Sequence, residues 1–122
     1  MFKSTITMVS HELSKKERIY IKDTSDAVSL NDAVGAEGII IAPKVWAVID
    51  IENDNSDDGH YTNYVVIDTY DGIKYVTGSD SFWRAFEDIA DEMEGEPFEV
   101  KVFKRPSKNF SGSFLTCSIV SD

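Results

Sequence analysis

The spacing of the apolar residues changes twice after residue 44, and that change limits what the chain can fold into. Five stretches are apolar or alternate apolar with polar residues: Val45 to Ile51, Tyr64 to Thr69, Ile73 to Thr77, Phe98 to Arg105 and Phe114 to Val120. A two-residue period puts successive side chains on opposite faces of a strand, so each stretch is expected to be one. Between the third and the fourth, Phe82, Phe86, Ile89, Ala90 and Met93 recur at three- and four-residue steps, while Arg84, Glu87, Asp88, Asp91 and Glu92 fall on the other side. That spacing predicts one amphipathic helix near residues 81–94. Ser79, Asp80 or Ser81 caps its start, Gly95 closes it and Pro97 prevents its continuation.

The sequence Tyr70-Asp71-Gly72 gives a tight hairpin signal, so the first three strands are expected to form an antiparallel meander. The last two are joined by the polar stretch Pro106 to Ser113. Three strands, a helix and two strands is the order of the five-stranded Greek-key barrel called the OB-fold, so the expected class is mainly β with an OB-like barrel over residues 45–120. A ferredoxin-like arrangement ranks second, because it needs a helix after its first strand. The only source for one is residues 24–37, where Leu30, Ala33 and Val34 hint at a helical turn. In residues 1–44, Lys3 to Val9 and Arg18 to Lys22 both alternate and are expected to pair as a hairpin, making an N-terminal β extension. Ile39-Ile40-Ile41 before Pro43 is either a strand of its own or the lead into the first barrel strand.

At 122 residues, with 42% hydrophobic and 28% charged side chains, the chain is one domain able to bury a core without metal or disulfide. No apolar run approaches the length of a membrane span and the N-terminus lacks a signal-peptide pattern, so a cytoplasmic protein with no membrane partner is expected. The single cysteine, Cys117, lies in an alternating apolar segment and reads as a buried, reduced core thiol.

The net charge of −10 argues against loose, charge-driven binding to nucleic acid. Its distribution matters more than its total. Residues 1–45 carry six positive and six negative side chains, residues 46–96 two and fourteen, and residues 97–122 four and two. The middle is an acid block and the last segment is basic.

Barrels of this order bind single strands by stacking bases on aromatic rings while Lys and Arg follow the backbone. On the fourth strand Phe98, Val100 and Val102 share one face, read as core, and Lys101, Phe103 and Arg105 share the other, read as a binding face. Lys104 and Lys108 flank the next loop, which contains Phe110, and Trp46, Tyr64 and Tyr75 are companions from the first three strands. Trp83 reads as helix packing.

Tyr75-Val-Thr-Gly-Ser-Asp-Ser-Phe82, Lys104-Arg-Pro-Ser-Lys-Asn-Phe110 and Phe114-Leu-Thr-Cys117 resemble segments of small single-stranded DNA-binding proteins of Gram-positive phages and mobile elements. The resemblance covers about the last eighty residues. It implies an OB-fold, single-stranded DNA as ligand, and replication or recombination proteins as partners. The chain departs from the familiar bacterial versions in lacking a long acidic tail.

Asp54-Asn-Ser-Asp-Asp-Gly59 matches the opening of a calcium loop, but Val65 stands where a bidentate Glu is required, so a solvated loop is expected and no metal. No phosphate loop, paired-cysteine site or histidine beside a nucleophile appears, since His11 and His60 are the only histidines; no cofactor and no enzymatic activity are expected. The rival reading is an acidic interaction module, a phage-encoded inhibitor imitating nucleic acid, that works through Glu87, Asp88, Asp91, Glu92, Glu94 and the loop acids. The two differ in whether those acids share a face with Lys101, Phe103 and Arg105.

Overall fold

The computed structural model describes residues 2–53, 60–68, 72–106 and 113–120. In chain order the elements are β1 (Phe2–Val9), α1 (Lys15–Lys22), β2 (Val28–Ser29), α2 (Leu30–Val34), β3 (Ile39–Ile41) and β4 (Pro43–Asn53), then β5 (His60–Asp68), β6 (Lys74–Thr77), α3 (Asp80–Met93), β7 (Val100–Pro106) and β8 (Ser113–Ile119). The fold is mainly β. One sheet has five strands in the order β1-β4-β5-β6-β2, and the other three in the order β3-β7-β8.

The expected meander is present, with β4 antiparallel to β5 and β5 to β6. The continuous apolar run Val45 to Ile49 suits the interior place of β4 in the sheet. Val45, Ala47, Ile49 and Ile51 bury themselves with Val65, Leu13 and Ile21 on one face. Trp46 and Val48, on the other face, pack with Tyr64, Val66 and the helix residues Phe82, Trp83 and Phe86. The large sheet is therefore apolar on both sides, with α1 over one face and α3 over the other.

Pro43 supplies no N–H for pairing, and the chain changes sheets there. Ile39 to Ile41 pair with β7, whereas β4 pairs with β1 and β5. The amide of Ala42 at the crossing donates to the buried Asp68 carboxylate at 3.3 Å. Gly38, just before β3, has φ +81° and lies so near β7 that a Cβ there would stand 2.7 Å from the Val102 carbonyl oxygen. Only glycine meets both conditions.

The helix near 81–94 is α3. The Ser79 hydroxyl accepts from the Phe82 amide, and the helix ends at Glu94 in the left-handed region, φ 49°. Its apolar side carries Phe82 and Phe86, both with no exposed surface, and Trp83 is buried beside them.

One expectation needs correction. Residues 18–22 are not a strand but the body of α1, because Ser14 and Glu17 form a reciprocal capping box that starts a helix. The partner of β1 is accordingly β4, in antiparallel register from Phe2 opposite Asn53 to Val9 opposite Ala47. Residues 1–44 are thus a mixed segment and not a β extension. Nor does the described pairing close a barrel: β8 pairs with β7 alone, and β6 is flanked on its far side by β2, which lies parallel to it. Both sheets are open.

A buried cation ties the N-terminal segment to the large sheet. Lys74 Nζ donates to the carbonyl oxygens of Tyr20, at 2.7 Å, and Asp23, pairs with Asp26 at 3.0 Å and stands 3.9 Å from the centre of the Tyr20 ring. Buried charges are tolerated only with such partners.

Candidate nucleic-acid interface

The small sheet has two unlike faces because β7 alternates strictly. Val100 and Val102 are buried against α3, while Lys101 and Arg105 are exposed and Phe103 is half-buried on the opposite side. The register extends that outer face across three strands. Lys101 sits between Ile40 of β3 and Ser118 of β8, Phe103 is opposite Thr116, and Arg105 is opposite Phe114. Ile40 is 50% exposed and Phe114 40%. The Arg105 guanidinium lies over the Phe103 ring, 5.2 Å from its centre. Cation and ring are thereby held side by side on a rigid strand.

None of these outward positions on β3, β7 or β8 is a carboxylate. The first acid along β7 is Glu99, half-buried just before the strand. The acidic helix lies across the sheet: Ser81 Oγ donates to the Leu115 carbonyl at 2.6 Å, and Phe82 and Phe86 pack with Val100, Val102, Leu115 and Cys117. Asp88, Asp91, Glu92 and Glu94 are exposed on that helix and its end, beyond the inner face. The acids of α3 and the cations Lys101 and Arg105 lie on opposite sides of the small sheet, the arrangement that permits a polyanion on the outer face.

The other residues singled out by sequence fall elsewhere. Tyr64 is buried, its ring stacked on Trp83 at 4.8 Å and its hydroxyl donating to Asp80 at 2.5 Å. Burial first, and that carboxylate second, push its phenol up to about 12. Tyr75 is buried in the same cluster. Trp46 meets Phe86 and Phe98 edge-on at 5.3 and 5.8 Å, and its remaining edge helps line a cleft of about 410 Å³ with His11, Lys44 and Pro97. These three rings are occupied by core packing and do not join Phe103. Lys104 is exposed but opposite buried Leu115, so it belongs to the other face of the hairpin. Lys108 and Phe110 lie outside the described residues, as do residues 54–59 of the calcium-like stretch.

Sequence reasoning missed Ile40 and Phe114. Both belong to alternating strands, but only the register reveals that they border Lys101 and Arg105. Cys117 is buried, and burial pushes its thiol up to about 12, as suits a core group. No helix among the described residues is long and apolar enough to cross a membrane. Comparison of the chain with protein-family models, curated proteins and solved structures gives no match.

Proposed function

We propose that the chain is a single-stranded DNA-binding protein, encoded by a phage or mobile element and working in the host cytoplasm, that holds strands without sequence preference during replication or recombination. The observation that carries this reading is the outer face of the small sheet. Lys101 and Arg105 alternate with Phe103 there, Phe114 lies across from Arg105, and no carboxylate interrupts the strand positions. Bases stack on Phe103 and Phe114 while the two cations follow the phosphates. The passage of one segment from the small sheet (β3) to the large one (β4), followed by a meander, a helix and a hairpin, supports an OB-like barrel that closes incompletely.

Labelled oligo-dT titrated at low and moderate salt tests the proposal. Binding is expected at low salt, weakening as salt rises, with each lost phosphate contact lowering the slope by about 0.7. Phe103→Ala is expected to cost about 1–3 kcal/mol of affinity with little change in slope. Lys101→Ala with Arg105→Ala should lower affinity and slope together. Absence of binding at low salt rejects the reading.

The exposed acids of α3 favour a second reading, an acidic module that occupies the nucleic-acid channel of a basic partner. It predicts no oligo-dT binding and a direct complex with a basic protein instead.

A further inference from the structure

Helix α1 rests on the large sheet through one buried side chain, Ile21. The rest of it faces solvent, including Ile19 at 69% and Tyr20 at 45% exposure. Ile19 has Lys15 and Lys16 one turn before it and Lys22 one turn after it, all exposed. At helical spacing these three cations neighbour the isoleucine, and the fourth position one turn away is the exposed C-cap Asp23. In a chain of net charge −10, this patch carries more cations than acids around its apolar centre.

Its complement is on the same molecule. Helix α3 exposes Asp88, Asp91 and Glu92 together with Arg84, and the half-buried Ala85 and Ile89, packed against the core on their inner side, border Asp88 and Glu92 at helical spacing. The two helices cannot meet within one chain. Ile21 of α1 belongs to the cluster with Val45, Ala47 and Ile49, whereas Phe82 and Phe86 of α3 belong to the cluster that Trp46 and Val48 cover from the other face of β4. The five-stranded sheet lies between them.

We propose that α1 of one copy docks on the acidic face of α3 of a second copy, with Ile19 over Ala85 and Ile89 and the three lysines against Asp88 and Glu92. Because the complementary surfaces lie on opposite faces of the sheet, the contact is head to tail and adds copies in series instead of closing a symmetric pair. One helix against another is a small interface, so the association is weak, salt-sensitive and fast. It does not depend on the strand-binding reading, and the experiment needs no nucleic acid.

Sedimentation velocity of the full chain over a concentration series tests it, at about 20 mM and about 500 mM salt, where charge screening differs several-fold in range. At low salt the sedimentation coefficient is expected to rise with concentration, and at high salt to stay at the monomer value. Lys15→Glu/Lys16→Glu and Asp88→Lys/Glu92→Lys, each checked for native circular dichroism, should both be monomeric at low salt. An equal mixture of the two should associate again, because each reversed helix then meets an opposite charge. Ile19→Ser should weaken association in the wild-type background with unchanged thermal stability. A coefficient independent of concentration at low salt overturns the proposal, as does association that survives high salt or the charge reversals. A mixture that stays monomeric overturns the pairing of these two helices.

Discussion

The two sheets differ in how many of their faces they bury. The five-stranded sheet is covered on both sides, by α1 and Leu13 on one and by α3 on the other. The three-stranded sheet is covered on one side only, and its outer face keeps Ile40, Lys101, Arg105 and Phe114 in solvent. Apolar atoms held on both faces make the first a scaffold, since each buried side chain contributes about 1.5–3 kcal/mol. The second is anchored by that scaffold through Val100, Val102, Leu115 and Cys117, which frees its other face from any duty in stability. Rings and cations standing in water on a rigid strand are what a recognition surface requires.

The largest effect is expected where the sheets share their core. Phe86 has no exposed surface and meets the rings of Trp46, Phe82, Trp83 and Phe98, so Phe86→Ala should cost about 3–5 kcal/mol in denaturant unfolding. A cost near zero would mean that the small sheet is not anchored through this helix. Lys74→Met comes next, at about 1–3 kcal/mol, because the carbonyls of Tyr20 and Asp23 lose their donor. Amides of residues 20–26 should then exchange faster with solvent than those of β7.

Alkaline pH tests the buried side of the same contrast. The folded chain holds the protons of Tyr64 and Cys117 up to about 12, against ordinary values of 10.0 and 9.0. Above those ordinary values the unfolded chain releases protons that the folded chain keeps, so stability falls as pH rises from about 9 towards 12. Denaturation midpoints at stepped pH values read this directly, and Cys117→Ser should remove the earlier part of the loss. Smallest of all should be the change in stability from Lys101→Ala or Arg105→Ala, within about 0.5 kcal/mol. The same variants lower affinity for oligo-dT if the outer face is the interface. A large loss of stability from either would contradict the division between scaffold and surface.

How much of this was legible in the sequence depended on local period. The strands β4 to β8 and helix α3 follow from alternation and three-to-four spacing, with Ser79 and Gly95 marking the helix ends. The alternation in Arg18-Ile-Tyr-Ile-Lys22 misleads, since only Ile21 is buried there; the Ser14 and Glu17 pair was the better signal. The partner of β1 lies some forty residues away, where no local pattern points. For the proposed interface, the face occupied by Lys101, Phe103 and Arg105 is readable from period two alone. Which face of β4, β5 and β6 turns towards α3 is not, so period alone groups Trp46, Tyr64 and Tyr75 with Phe103 although they pack in the core.

The ammonium of Lys74 joins segments far apart in the chain. Residues 20–26 leave the ribosome some fifty positions before the cation that fastens them, and β1 leaves about forty before β4. Until those arrive, Ile21 lacks its partners on β4 and the carbonyls of Tyr20 and Asp23 lack their donor. A fragment cut before residue 74 would therefore lack the cation that fastens residues 20–26.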